Sequence, residues 1–490
     1  MKIGKVWLVG AGPGDVGLLT VAGYEILQKA EVVLYDQLVG DGILCKIPRE
    51  AEKINVGKYA GNHTLPQDGI NRLLVEKAKS GKCVVRLKGG DPFLFGRGGE
   101  EVEVLLDAGI PYEVISGVPS AIAVAAANGI PVTHRDYCSS VHIITGHRRV
   151  GEEYNIDFSA LVHTHGTLIF LMGVGSLSFI CKELINAGMP KDMPAAVLSR
   201  GTTARQSKQI GTVSDLPQKA QQVPTPAIIV VGEVCRLSEP FSWKEQLPLF
   251  GKKIVVTRPQ KKESVLADQL RSLGAEVLEC PSIRLEANRN MTLLENCLEG
   301  ERNYQWLIFT SPAGVDIFFE QLKKSKRDIR SLFGIKVAVI GKGTKRACED
   351  RGILVDYMPS DFNGRALAKG LIDEIGTDTV SILMPRANIG NPIISEILRE
   401  AGHEVDDVGI YDTRTEAHSF LPDMEYDGAA FTSASAVDGF WYHAHVSNPE
   451  RITAYCIGEV TAARARHYGM KTVIAKEATI DSLVKVIAGE

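Results

Sequence analysis

The sequence has no apolar run of about 18 residues, no Cys-x-x-Cys pair and no surplus of positive charge. The first absence leaves no segment that could span a bilayer as a helix, since AIAVAAANGI is too short for that. The nine cysteines, Cys45, Cys83, Cys138, Cys181, Cys235, Cys280, Cys297, Cys348 and Cys456, are odd in number and scattered. Such spacing suits neither a zinc site nor a disulfide framework, so no metal and reduced thiols in a cytoplasmic setting are expected. With 55 Lys+Arg against 59 Asp+Glu the net charge is −4, which offers nucleic acid no basic surface. MKIGKVWLVGAG runs directly into a strand pattern without an h-region or a cleavage site, so no signal peptide is expected.

What is present is an α/β pattern on a chain of 490 residues, enough for more than one domain. Runs rich in Val and Ile recur: VWLVG, VVLYD, VVRL, TLIFLM, AIIVVG, KIVVTRP, WLIFTS, VAVIG and SILMP. Segments of helix length separate them, which predicts largely parallel, doubly covered strands. SEPFSWKEQLPLFGKK, residues 238–253, has no period and lies between two strand patterns. It reads as a short, partly docked linker with a complete core on either side, so that 1–245 and 250–490 should each be soluble and active alone.

The second half repeats itself. FTSPAGVDIFF from Phe309 recurs as FTSASAVDGFW from Phe431, and VIGKGTKRACEDRGI from Val339 as CIGEVTAARARHYGM from Cys456. VVTRPQ…LADQLRSLGAEV likewise resembles LMPRAN…ISEILREAGHEV, setting Arg258 against Arg386. The order A-B-A′-B′ predicts two similar α/β lobes built from discontinuous segments, about 252–283 with 414–490 and about 284–413. Their strand carboxyl ends would face one cleft, where ligands of open α/β sheets bind.

Two stretches of the first half carry chemistry. GAGPGD invites a dinucleotide reading, but Asp15 stands where the third fingerprint glycine belongs and Pro13 removes a backbone donor. A pyrophosphate wants those donors and no carboxylate. VVRLKGGDPFLFGRGGEE offers bare backbone at Gly89 and Gly90, the carboxylate of Asp91 and the cations Arg86, Lys88 and Arg97.

Together with VVLYDQLV, GKYAGNHTLPQ, EVISGVPSAIAVAAANGIPVTHRD, TLIFLMGVG and RGTTARQ, these stretches resemble the uroporphyrinogen-III C-methyltransferases, within the tetrapyrrole methylases, from about Val6 to Glu233. The resemblance implies a fold of two α/β subdomains over about 1–240. It implies S-adenosyl-L-methionine as methyl donor, lined by Pro13, Gly89, Gly90, Asp91, Leu94, Pro119, Ser120, Met172 and Gly201. A tetrapyrrole with eight carboxylates would be the acceptor, with Arg97 and Arg135, and also Arg86, Lys88 and Arg148, as candidate partners for them. Asp36 matches a position proposed to accept a proton and Lys58 one proposed to donate. Family methylases are commonly homodimers. Two departures stand out: Ser116-Gly117 replaces a usual Pro-Gly, and Pro119 replaces a threonine, which costs a hydroxyl and an N–H.

VTRP, WLIFTSPAGVDIFF, VAVIGKGT, SILMPRA, GIYDTRT, FTSASAVDGF and CIGEVTAARA resemble uroporphyrinogen-III synthase over about 252–490. No metal cluster, nucleophile triad or phosphate loop is present there. Instead Ser311, Gly341, Thr344, Ser433, Ser435 and Gly458 fall at strand ends before helices, where hydroxyls and helix N-termini can hold carboxylates. Thr461 is the better match to the family pattern than Glu459. The family needs no cofactor, and Tyr411 matches a tyrosine proposed to assist loss of a hydroxyl from a linear bilane. Arg258, Ser311, Thr344, Ser433, Ser435 and Thr461 are the candidate substrate contacts.

The two resemblances imply a bifunctional enzyme that closes hydroxymethylbilane to uroporphyrinogen III and methylates it to precorrin-2, with only small-molecule partners, no membrane and a homodimer through the first half. The alternative is a methylase of a later corrinoid fused to a ligand-sensing lobe pair.

Overall fold

A computed structural model describes the chain except for residues 1–2, 58–64, 147–155, 258–263, 300–301, 417–423 and 445–447. Lys58, Arg148 and Arg258 therefore lie outside the described residues. Four five-stranded sheets carry the fold. In the first, β1 (Lys5–Gly10), β2 (Val32–Tyr35), β3 (Glu52–Asn55), β4 (Cys83–Lys88) and β5 (Tyr112–Ile115) run parallel in the order β3-β2-β4-β1-β5. In the second, β6 (Val141–Thr145), β7 (Thr167–Leu171), β8 (Pro194–Ser199), β9 (Ser207–Thr212) and β10 (Ala227–Val231) take the order β6-β7-β10-β8-β9.

That second sheet departs from the parallel arrangement expected of its apolar runs. Only β6 and β7 are parallel; β10 is antiparallel to both β7 and β8, and β8 to β9. β7 and β8 are buried along their whole length, which explains their continuous apolar character. Such a run reports burial on two faces and not strand direction.

The second half forms two lobes of the same pattern. One holds β11 (Lys253–Val256) and β12 (Glu276–Glu279), followed in the other by β13 (Ile283–Ala287), β14 (Trp306–Phe309), β15 (Lys336–Val339), β16 (Ser381–Ala387) and β17 (Glu404–Thr415). The chain then returns to the first lobe with β18 (Gly428–Phe431), β19 (Thr453–Cys456) and β20 (Lys471–Ile474). The sheet orders are β12-β11-β18-β19-β20 and β13-β17-β16-β14-β15. The four strands β12-β11-β18-β19 map in order onto β17-β16-β14-β15, so the repeat seen in the sequence is a repeat of topology. β13, antiparallel to β17, has no counterpart in the other lobe.

Each half has buried clusters of its own, and one further cluster is shared between them. One buried cluster joins Val9, Ile43, Cys45 and Ile47 of the first sheet region to Leu278, Cys280 and Met424 of the first lobe. The Cys45 and Cys280 sulfurs lie 3.2 Å apart in the interior. Ion pairs ring this contact: Lys46 with Glu279 at 2.7 Å, Lys253 with Asp41 at 2.7 Å and Arg49 with Glu416 at 2.7 Å. The connecting segment is docked on both sides. Trp243 Nε1 donates to Ala126 O at 3.2 Å, and Leu249 is buried, its N–H donating to Leu273 O at 2.8 Å. The period-free composition of 238–253 reflects this irregular docking. A helical or strand period would appear only if one face packed repeatedly.

Candidate active sites

In the first sheet the carboxyl ends of β1, β4 and β5 converge because their backbones touch. Gly12 and Gly90 exchange hydrogen bonds, N to O at 3.1 and 2.7 Å. A Cβ on Gly10 would collide with Gly117 and with Gly90 O, and one on Gly117 with Gly90 O, so bare backbone is required. Gly90 has φ 71°, and a Cβ there would meet nothing within 4 Å, so this turn faces open space. Asp91 closes the arrangement: one carboxylate oxygen accepts from Phe93 N at 2.8 Å, the other from Gly117 N at 3.0 Å. Each oxygen keeps lone-pair capacity for a ligand hydroxyl or cation. Pro13, Gly89, Leu94, Pro119 and Ser120 line the same three loops, all partly buried.

Gly201 reaches this region from the second sheet, and Met172 lies at the end of another strand of that sheet. Met172 follows β7 with φ 55° and is exposed. Gly201 follows β8, buried against Val124 of the helix Ser120–Ala127. The two sheets are tied here by Asp15 N donating to Thr202 Oγ1 at 3.2 Å. The loops thus form a cradle of backbone and one carboxylate between two sheets, which fits a ligand that is partly cationic and rich in hydroxyls.

Asp36, at the end of β2 beside β4, accepts from Leu38 N at 3.0 Å and pairs with Arg86 Nη2 at 3.4 Å. Its side chain remains 23% exposed and open to a proton. Arg86 and Lys88, two residues apart on β4, point to the same face and are buried there. Both are claimed by Glu101, which is fully buried: Arg86 Nε at 3.1 Å, Lys88 Nζ at 2.9 Å to each oxygen. Gln67 also donates to Glu101, at 3.2 Å. This corrects the expectation that Arg86 and Lys88 meet substrate carboxylates; their charges are committed to an internal partner. Burial, then the neighbouring Arg86, holds the Lys88 ammonium below its ordinary pKa despite Glu101. The alternation Arg86-x-Lys88 ahead of an acidic pair on the next helix is the sequence signal that points to Glu101. Arg97, at φ 60°, is exposed and forms a fork-to-fork pair with Glu100 at 2.9 and 2.6 Å. Arg135 is exposed as well.

In the second half the candidate hydroxyls sit where strands give way to helices, as read. Ser311 caps the helix Pro312–Lys324, accepting from Gly314 N at 3.0 Å, and Ser433 caps the helix Ala434–Ala444, accepting from Ala436 N at 3.2 Å. Thr344 and Thr461 occupy equivalent third positions after Gly341 and Gly458 and are buried; Ser435 is exposed. The structure brings Tyr411 to Ser311, hydroxyl to hydroxyl at 2.9 Å. Tyr411 is only 5% exposed and belongs to the core of its lobe. Burial raises its pKa further, against a smaller lowering by Ser311, so the phenol keeps its proton at neutral pH. Arg386, the repeat counterpart of Arg258, is held by Asp407 at 2.5 and 2.6 Å.

Comparison with known sequences agrees with this division. The family of tetrapyrrole (corrin/porphyrin) methylases matches residues 5–217 and that of uroporphyrinogen-III synthase HemD residues 264–485. The porphyrin biosynthesis protein HemD of Ruminiclostridium josui is 45% identical over 492 residues, covering 99% of this chain and 97% of that protein. The chain belongs to the family that fuses a tetrapyrrole methylase to a uroporphyrinogen-III synthase. It is therefore a two-part enzyme of tetrapyrrole biosynthesis. The uroporphyrinogen-III C-methyltransferase of Bacillus subtilis is 42% identical over 368 residues, 74% of this chain and 75% of that protein. The uroporphyrin-III C-methyl transferase of Thermus thermophilus, solved with S-adenyl homocysteine, is 40% identical, covers 48% of this chain and 99% of its own, and superposes with a TM-score of 0.42. No helix among the described residues is long and apolar enough to cross a membrane.

Proposed function

We propose that the second half closes hydroxymethylbilane to uroporphyrinogen III and that the first half methylates this product at C2 and C7 to precorrin-2. The supporting observation is that both strand-end constellations occur in one chain with a full-length relative, a porphyrin biosynthesis protein. S-adenosylmethionine would be held by the backbone of Pro13, Gly89 and Gly90, by Asp91 and by Gly201, and would supply an electrophilic methyl group. The chain's own contribution is positioning. Bare backbone admits the donor closely, and orientation supplies much of the acceleration of such a transfer. Asp36, anchored by Leu38 N and Arg86, would take the proton that an alkylated macrocycle must lose, a role worth about 10²–10⁴ in rate. Arg97 and Arg135, both exposed, would meet acceptor carboxylates.

In the second half, Ser311, Ser433, Ser435, Thr344 and Thr461 mark the helix N-termini that hold the bilane carboxylates, and the protonated Tyr411 assists the leaving hydroxyl when its bond to Ser311 gives way. The enzyme would act in the cytoplasm as a homodimer through its first half. The test supplies uroporphyrinogen III with methyl-labelled S-adenosylmethionine to the parent and to Asp91→Ala. Label should enter the macrocycle with the parent only, while both proteins close hydroxymethylbilane at equal rates. Donor affinity unchanged in Asp91→Ala would refute the assignment of the Gly89–Asp91 loop.

A further inference from the structure

The loop from β8 to β9 is the most strained part of the candidate donor site. Gly201 lies between Arg200 at φ 44° and Thr202 at φ 72°. A β-branched residue in the left-handed region persists only where its surroundings over-determine it. Part of that determination is internal to the first half: Arg200 N donates to Pro226 O at 2.8 Å and Thr202 N to Gln206 Oε1 at 2.8 Å. The rest comes from outside it. Lys244 of the connecting segment donates to Thr202 O at 3.1 Å and reaches Asp15 at 3.4 Å. Glu276, on β12 of the synthase lobe, accepts from Ala204 N at 2.7 Å. Its other oxygen pairs with Lys253 at 3.2 Å, and Lys253 pairs with Asp41, just beyond the loop that carries Asp36. Glu276 and Lys244 are largely buried, at 14% and 12% side-chain exposure, so water cannot simply replace them. Bonds to such charged groups are about twice as strong as neutral ones.

We infer that the synthase half, through Glu276, and the connecting segment, through Lys244, brace the methyl-donor loop of the first half, both as positioning residues for donor binding. This rests on the reading of Gly201 and its neighbours as the donor site. It gives the fusion a physical role beyond tethering, because the first half without the synthase lobe lacks the Glu276 contact that shapes its own loop.

The experiment uses the full chain and the variants Glu276→Ala, Lys244→Met and Glu276→Gln. Binding of S-adenosylhomocysteine is measured by calorimetry, KM and kcat of methylation with uroporphyrinogen III, and bilane closure in parallel. Glu276→Ala and Lys244→Met should each weaken binding about tenfold, as expected for loss of one charged hydrogen bond. The KM for the donor should rise more than kcat falls, and closure should stay within about twofold, since neither residue belongs to that site. Glu276→Gln keeps an acceptor for Ala204 N and should recover most of the affinity. Affinity unchanged in both disruptive variants, beside a parent that binds, would overturn the brace and leave the donor site standing. A matching fall in closure would make Glu276 a support of its own lobe and overturn the brace too. A parent that does not bind S-adenosylhomocysteine would overturn the donor site and the brace with it.

Discussion

Glu101→Gln should convert the most buried charge cluster of the first half into a pH-dependent weakness. The substitution keeps the shape and removes the charge. It leaves Arg86 and Lys88, each with 5% side-chain exposure, without their shared fully buried partner. Removing one partner of a buried pair costs about 3–5 kcal/mol. The cost has a ceiling, because Lys88 can shed its proton instead. Holding a lysine neutral at pH 7 against an ordinary pKa of about 10.4 costs roughly 4.6 kcal/mol at 1.36 kcal/mol per unit. A loss of about 4–5 kcal/mol is therefore expected, or roughly 8–20 °C in the melting of a unit this size. The sign of the pH dependence follows from Lys88, whose folded pKa is already lowered. Between the folded and unfolded pKa values the unfolded chain binds more protons, so stability rises with pH. In the variant it should recover by up to about 1.4 kcal/mol per pH unit between pH 7 and 9. Melting followed by circular dichroism at both pH values, with the double variant Glu101→Gln/Lys88→Met as the rescue arm, measures this. A loss under about 1 kcal/mol, or one equal at the two pH values, would refute the buried-cluster account.

Other outcomes follow from the join and from the second half. Glu279 is held below the ordinary carboxylate range: burial opposes this, but Arg271 and Lys46 prevail. Its contribution is present above about pH 4.5 and lost as pH falls through the lower folded value, so limited proteolysis in the 238–253 segment should begin there before either half unfolds. Expressed separately, 1–245 and 250–490 should aggregate or bind an apolar dye, because Ile43, Ile47, Leu278 and Cys280 become exposed; two soluble, fully active halves would contradict a shared core. Tyr411→Phe should keep the fold within about 1 kcal/mol, since Ser311 still caps its helix, yet slow closure and release bilane to the type I isomer; an equal rate with pure type III product would leave Tyr411 as packing.

The fold was legible where it depended on short-range pattern. The alternation of apolar runs predicted α/β folds, and the duplicated segments predicted which strands share a lobe. The close backbone approach at Gly90 was legible because glycine at a strand end has a backbone meaning that survives without coordinates. Direction in the second sheet was not, because a strand buried on both faces looks the same either way. The fate of Arg86, Lys88 and Glu101 was hidden because a cation in a sequence does not declare whether it faces solvent or a carboxylate on the next helix. The contact of Ala204 with Glu276 spans 72 residues and depends on how two folded halves dock, which no local pattern encodes.

On this reading one chain carries out two successive steps on the same macrocycle. The direct measurement incubates the purified full chain with hydroxymethylbilane, with and without S-adenosylmethionine, and resolves the products by isomer analysis and mass. Without the donor, uroporphyrinogen III alone should accumulate; with it, a type III macrocycle carrying two additional methyl groups. Type I product at the uncatalysed rate, or type III product that never gains methyl groups, would contradict it.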